Sequence, residues 1–154
     1  MNEMEAAIGI GNLEIYNEIL EKRSKNLYLM MKKFKKFDKY FITFKENSGE
    51  KIGPHAFPVT LRENIGFDRN QLVDFLGKNQ IDTRNLFSSM PTQCPGFAFL
   101  GYKLGFFPNA EYIGNNGLHI GVHQDLNEEH IDYIINTFDK FLIDFPLLPL
   151  IRGR

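Results

Sequence analysis

Two histidines four residues apart, His119 and His123, form the first pair whose spacing suggests metal binding. The residues between them, Ile120-Gly121-Val122, favour a strand over a helix. Four residues of a strand span roughly 13 Å, whereas two ligands of one zinc ion each lie about 2 Å from it. The spacing therefore argues against a shared site, and we predict no metal ligands in this chain.

Motifs for nucleophilic catalysis or nucleotide binding are weak. The one cysteine, Cys94, lies between Gln93 and Pro95 in no context typical of a nucleophile, so we interpret it as a packing residue. The Gly9-Ile10-Gly11 segment lacks the preceding strand and the third glycine of a dinucleotide-binding loop. No phosphate loop with Gly-Lys-Ser/Thr occurs in the sequence.

Arg84 is the strongest candidate for anion binding. It lies close to the apolar residues Leu86 and Phe87, and a guanidinium buried beside them needs an anionic or carbonyl partner. Two kinds of role stay open for Arg84. The first is recognition, in which Arg84 binds an anion or pairs with a group across an interface. The second is a structural salt bridge.

These residues must be positioned by helices and strands that the hydrophobic pattern predicts. Helical spacing begins almost at residue 1, and a second amphipathic run through Phe37 continues that helix or follows a kink. Strands are predicted at 40–44, 55–61, 81–87 and 118–123. Helices are predicted at 69–78, after Asp68 and Gln71 at the spacing of a capping box, and after a cap at Asn127. The order lacks sustained βαβ alternation. It predicts an α+β fold with a long N-terminal helix and a small antiparallel or mixed sheet with helices packed on one face.

The ends and the middle of the chain are less regular. The opening helix leaves little room for a capping residue, which suggests that an upstream piece is missing. Prolines and glycines make 88–117 the least regular stretch, and Asn115-Asn116-Gly117 is interpreted as a turn that accepts positive φ. The tail at 145–154 contains two prolines and is not predicted to be helical.

Composition narrows the class of protein. The 154 residues are 43% hydrophobic and fit one globular domain. A net charge of -1 supplies no overall field for nucleic acid, and five lysines between 32 and 39 are interpreted as a solvated face, with a nucleic-acid patch as the alternative. No apolar run reaches the length of a membrane span, and a single cysteine gives no reason to expect an oxidising compartment, so we expect a cytoplasmic protein.

Several phrases of the sequence resemble a known family. The Met1–Gly9 segment looks like the Met-x-Glu-x-x-Ala-Ala-x-Gly helix of DegT/StrS aminotransferases, and Ile81–Phe87 looks like their Ile-x-Thr-Arg-x-Leu-Phe segment. Further likenesses are Met90-x-x-Gln93-x-Pro95, 108–112, 118–123 and 126–131. Together these phrases run along almost the whole chain in the order of the family.

The resemblance implies the C-terminal domain of a sugar aminotransferase that depends on pyridoxal phosphate (PLP). Such enzymes are homodimers that transfer an amino group, typically from glutamate, to a keto sugar bound to a nucleotide, and some members are dehydrases instead. In them a lysine holds the cofactor. The resemblance divides this chain into linking helices at 1–38, an α+β C-terminal domain at 39–144 and a tail at 145–154, with the PLP-binding domain upstream and absent.

The resemblance also suggests which residues act. Arg84, Gln93 and His119 are expected to contact the substrate or shape its pocket. Lys51, Lys78 and Lys103 do not stand in the cofactor context of the family, so no residue here is given a catalytic or cofactor-binding role. Catalysis is expected to need a complementary N-terminal half or a full-length relative as partner. The alternative is a non-catalytic remnant or interaction module that binds a full-length relative through its exposed helix.

Overall fold

The computed structural model describes residues 2–86 and 90–145, and the chain begins in two consecutive helices. Helix α1 (Glu3–Glu14) starts at Asn2, whose side chain accepts a hydrogen bond from the backbone N–H of Glu5 in a capping box. The little room before this helix is therefore enough for a capping residue. Ile15 has non-helical backbone angles, and α2 (Tyr16–Phe34) follows it, so the predicted continuation occurs with a kink.

Four short strands form one antiparallel sheet. Their bounds are β1 (Phe41–Ile42), β2 (Ala56–Leu61), β3 (Thr83–Asn85) and β4 (Gly117–Gly121). The strand order is β1-β2-β4-β3, so the central pair joins strands that are distant in sequence. All three pairings are antiparallel. The predicted α+β fold with a small sheet is confirmed, although each strand is shorter than its apolar run.

The core lies between one face of this sheet and three helices. α3 (Arg69–Lys78), α5 (Glu128–Asp144) and the second half of α2 supply its helical side. Phe34 of α2 is buried at its centre, with ring centroids 4.9 to 5.5 Å from those of Phe37, Phe41, Phe57 and Phe138. Aromatic pairs of this kind contribute about 0.5–1.5 kcal/mol each beyond the area they bury. Helix α2 thus belongs to the same core as the sheet.

Local signals placed α3 and α5 accurately. Asp68 and Gln71 form the capping box of α3, and Asn127 caps α5 by accepting from the backbone N–H of His130. Both caps were predicted from sequence. Two lysines, Lys33 at the end of α2 and Lys36 just after it, form ion pairs with α5. Lys33 pairs with Glu128 at 2.8 Å and with Asp132 at 2.5 Å. Lys36 pairs with Asp139.

The stretch from 90 to 117 is more regular than its composition suggests. It holds two short 3₁₀ turns and a helix, α4 (Pro108–Asn116), which was not predicted from the sequence. Gly117 follows with φ -94°, so the positive-φ turn predicted here is wrong. A Cβ at Gly117 would lie 2.4 Å from the carbonyl oxygen of Ile113 and 2.8 Å from Leu86 Cδ1. Close packing of α4 on the sheet therefore explains this glycine.

Within 2–86 and 90–145, no helix is long and apolar enough to cross a membrane. Of the predicted tail, only Phe145 belongs to the described residues, and 146–154 lie outside them. Phe87 at the end of the predicted third strand also lies outside them.

Candidate functional site

The face of the sheet turned away from the core carries polar side chains. On β4, Leu118 and Ile120 are buried in the core, and His119 between them projects from the opposite face. The antiparallel register places His119 directly across from Arg84 of β3 and from Pro58 of β2. Two of the three candidate substrate residues, which lie 35 positions apart in the sequence, are thus neighbours.

A cleft of about 210 Å³ opens over these two residues. Its charged and titratable lining consists of two arginines, three histidines and one aspartate, which are Arg23, Arg84, His55, His119, His123 and Asp82. Cationic groups outnumber the single carboxylate even when every histidine is neutral. The cleft therefore favours an anionic ligand such as a phosphate or a carboxylate.

The imidazole of His119 is held neutral. Its burial, followed by the nearby His55 and Arg84, lowers the pKa of His119 below its ordinary value. The ring centroids of His55 and His119 are 6.2 Å apart. A neutral imidazole at pH 7 carries one N–H donor and one acceptor nitrogen, so His119 suits a hydroxyl or a carbonyl group of a ligand.

Arg84 differs from the expectation that its guanidinium is buried. Its side chain is exposed at the mouth of the cleft, and it makes no ion pair with a carboxylate of the described residues. The structural salt bridge considered for it does not occur there. A guanidinium exposed beside a neutral imidazole has donors available for a ligand.

Gln93 lies apart from this cleft, on a short 3₁₀ turn between β3 and α4. Its Nε2 donates to the carbonyl oxygen of Lys103 at 2.8 Å and to Glu111 Oε1 at 2.7 Å. Glu111 also accepts from the backbone N–H groups of Gly105 and Phe107. The Gln93 side chain, then those two N–H groups, lower the pKa of the Glu111 carboxyl. Gln93 and Glu111 thus fix the shape of the 94–107 loop.

Side chains of helix α2 form hydrogen bonds with the segment that follows β4. Asn26 is buried, and its Nδ2 donates to the carbonyl oxygens of His123 at 2.7 Å and Leu126 at 3.1 Å. One turn earlier, Arg23 Nε donates to Gln124 Oε1 at 2.9 Å. These bonds place Arg23 and His123 at one end of the cleft. No role was predicted for Asn26 or Arg23, because the helical pattern of the sequence marks only their apolar neighbours.

A separate, apolar hollow lies beside α5. This second space of about 270 Å³ shares Asp82, Gly121 and His123 with the cationic cleft. Its other walls include Ile120, Leu126 and Ile134 and are largely apolar.

Across 2–86 and 90–145 no group of three or more His, Cys, Asp or Glu could hold a metal ion. Cys94 lies half-buried between the two 3₁₀ turns, with its Sγ 3.6 Å from the carbonyl oxygen of Met90.

The cationic cleft does not fit a covalent PLP site. Such a site needs a lysine amine facing the cofactor, and no lysine of the described ranges lines the cationic cleft. Lys51, Lys78 and Lys103 are all exposed elsewhere on the surface. This cleft can hold an anionic or polar ligand but cannot itself supply the cofactor amine.

Comparison with known proteins relates this arrangement to a family of enzymes. The model of the DegT/DnrJ/EryC1/StrS aminotransferase family matches residues 1–139. The lipopolysaccharide biosynthesis protein RfbH of Salmonella typhimurium is 33% identical over 144 residues, which are 92% of this chain and 32% of RfbH.

Two solved structures have the same fold. The structure of the E. coli GDP-4-keto-6-deoxy-D-mannose-3-dehydratase with bound hydrated PLP is 29% identical, has a TM-score of 0.68, and is matched by 88% of this chain over 34% of its own. Helicobacter pylori PseC, an aminotransferase involved in pseudoaminic acid biosynthesis, is 20% identical with a TM-score of 0.79. The match to PseC covers 94% of this chain and 38% of that one, and it shows the fold alone. This chain spans about a third of the length of RfbH and of both structures.

Proposed function

Because the chain belongs to the DegT/DnrJ/EryC1/StrS aminotransferase family, we propose that it forms the C-terminal part of a PLP-dependent enzyme acting on a nucleotide-linked keto sugar. In the main form of the proposal the enzyme transfers an amino group to the sugar, and glutamate is the amino donor. The observation that carries it is the cationic cleft where Arg84 and His119 face each other across two strands.

Each proposed substrate residue matches a part of such a ligand. The exposed guanidinium of Arg84 presents several N–H donors in a fork that suits a phosphate or a carboxylate. Neutral His119 can donate to or accept from a sugar hydroxyl or keto oxygen. Gln93 acts through the loop that it shapes with Glu111, because its Nε2 group already donates to Glu111 and to the carbonyl oxygen of Lys103.

The cofactor and its lysine belong, in this proposal, to another part of the complete enzyme. RfbH and both structural neighbours contain about two further thirds of chain outside the matched region. A complementary N-terminal half or a full-length relative would supply the PLP-bearing lysine, and two such assemblies would form a dimer. A cytoplasmic place in polysaccharide biosynthesis follows from the expected nucleotide sugar.

A specific observation supports a second candidate activity. The E. coli relative named as a sugar 3-dehydratase is 29% identical to this chain, whereas the aminotransferase PseC is 20% identical. The same cleft would then bind a keto sugar nucleotide from which the complete enzyme removes water. Amination replaces the keto oxygen by an amino group, while dehydration removes a hydroxyl as water, so the two products differ in mass.

Reconstitution with a complementary partner tests the proposal. The purified chain is mixed with RfbH shortened by the third that this chain matches, together with PLP, glutamate and a keto sugar nucleotide. We expect a change in the absorbance of lysine-bound PLP and a sugar product whose mass distinguishes amination from dehydration. The control is the chain by itself, which should do neither. A reconstituted pair without product would contradict the proposal, and so would the chain alone turning over the sugar.

A further inference from the structure

Helix α1 has apolar residues on two opposite sides and none of them is buried. Met4, Ile8 and Gly11 form one stripe, while Ala6, Ile10 and Leu13 form another stripe on the far side of the helix. Met4 is 78% exposed and Leu13 is 71% exposed. A helix that is apolar on more than one side is typically buried within a larger protein.

The glycines of α1 have no purpose within the described part of this chain. A Cβ added at Gly9 or at Gly11 would meet nothing within 4 Å. Each glycine nevertheless weakens a helix by about 1 kcal/mol relative to alanine, and isolated helices shorter than about 12–15 residues are marginal in water. A helix of 12 residues with two such glycines therefore needs an outside contact to be stable, and glycine is the residue that lets another backbone come close.

We infer that α1 is a docking helix, whose occupant is the PLP-bearing remainder of a complete enzyme of this family. The inference rests on the proposed function. The family match includes α1, and the relatives contain about twice as much further chain as the part matched here. A second copy of this chain fits less well, since a pair of helices would cover one stripe of each and leave the opposite stripe in water.

Alanine at Gly11 gives the sharpest test because its two effects have opposite signs. In the free chain, Gly11→Ala raises the helical content of α1 and leaves the melting temperature unchanged, since α1 has no buried residue. In the complex, the added methyl group meets the partner backbone and weakens association with the shortened RfbH by about tenfold or more. Gly77→Ala is the matched control, because Gly77 is an exposed glycine of α3 with no atom near its Cβ position.

A second pair of variants and a measurement of hydrogen exchange complete the experiment. Leu13→Asp is expected to abolish binding to the shortened RfbH, while Asn12→Asp on the same helix leaves binding within about twofold. Amides of α1 should exchange rapidly in the free monomer and become protected in the complex. The inference is overturned if α1 is protected in the free monomer, if Gly11→Ala binds as tightly as the parent chain, or if no complex forms.

Sedimentation and product formation separate this inference from its premise. If α1 becomes protected only when the chain self-associates, the occupant is a second copy and the inference is wrong. A complex that depends on Leu13 but makes no product leaves the docking helix standing and removes the proposed function. If Leu13→Asp and Gly11→Ala both leave product formation unchanged, the proposed function stands and the docking helix is wrong.

Discussion

His119 shows how a short strand can set the protonation of one side chain. Burial lowers its pKa first, and the electrostatic effects of His55 and then of Arg84 add to the shift. Charge removal at Arg84 should therefore raise the pKa of His119. We expect Arg84→Gln to move the His119 titration toward its ordinary value, as measured by the NMR shifts of the imidazole. Lys140→Gln, at an exposed position of α5, is the control, and an equal shift in both variants would contradict the electrostatic assignment.

The same shift links His119 to stability. Because the folded pKa lies below the unfolded one, the unfolded chain binds more protons in the interval between them. The contribution of His119 to stability is therefore fully present above the pKa of the unfolded chain. It is lost as the pH falls through the pKa of the folded chain. Arg84→Gln should bring the folded pKa of His119 closer to its unfolded pKa. As the pH falls through these two pKa values, the stability of the variant should therefore decline less than that of the parent chain.

At the scale of elements, the loop at 94–107 depends on one carboxylate of α4. Glu111 accepts from Gln93 and from the backbone of Gly105 and Phe107, and Glu111→Gln keeps only one acceptor oxygen and no charge. We expect faster amide exchange across 94–107 with little change in melting temperature, because the large apolar side chains of this loop are mostly exposed. Glu129→Gln, in the first turn of α5, is the control. Unchanged exchange in the Glu111 variant would show that the loop is held by something else.

Acid should loosen the same loop in the parent chain. The folded pKa of Glu111 is depressed, so its bonds are present above the ordinary carboxyl pKa and are lost as pH falls through the folded value. The exchange rates of 94–107 should rise over that acidic interval. The Glu111→Gln variant should show no such rise.

The contact of α2 with the segment after β4 rests on Asn26. Asn26→Ala removes the buried side-chain donor to the carbonyl oxygens of His123 and Leu126, and His123 keeps only the backbone N–H of Leu126 at 3.2 Å. We expect a cost of about 1–3 kcal/mol in the free energy of unfolding. Asn26→Asp should cost more, because a carboxylate would face two carbonyl oxygens. Lys25→Ala, exposed beside it, is the control. Chemical denaturation would measure all three, and an aspartate variant as stable as the alanine variant would contradict this account.

The sequence predicted those elements whose signals are local. Asp68 and Asn127 cap α3 and α5 as their spacing indicated, since a capping box is decided within four residues. Helix α4 was missed because its proline, asparagines and glycine are also turn residues, although proline at the first position of a helix is favourable. Gly117 was misjudged for a related reason, since its cause is a contact with Ile113 and Leu86 rather than its own φ.

The site was less predictable than the elements that build it. The resemblance selected Arg84 and His119, but their adjacency depends on the pairing of β3 with β4. His55 reaches the cleft because β2 pairs with the other side of β4, a contact between strands that are far apart in sequence. Pairing of this kind is set by packing of the whole core. A local pattern therefore identified residues without showing which of them meet.

For the whole molecule, the decisive question is where the folded unit begins. The resemblance assigned 1–38 to linking helices, yet Phe34 of α2 is 1% exposed and contacts four other rings of the core, whereas α1 has no buried residue. Stability should therefore depend on α2 and be independent of α1. Removal of residues 3–14 should leave the melting temperature nearly unchanged.

Phe34→Ala should have the opposite outcome. Truncating a buried phenylalanine costs about 3–5 kcal/mol, which lowers the melting temperature of a domain of this size by roughly 6–20 °C. Phe99→Ala is the matched control, because Phe99 is 80% exposed on the 94–107 loop. This variant should have the same melting temperature as the parent chain. Calorimetry of the three variants decides the matter. If removing α1 lowers the melting temperature as much as Phe34→Ala does, then α1 packs on the core in solution and the folded unit begins at the first helix.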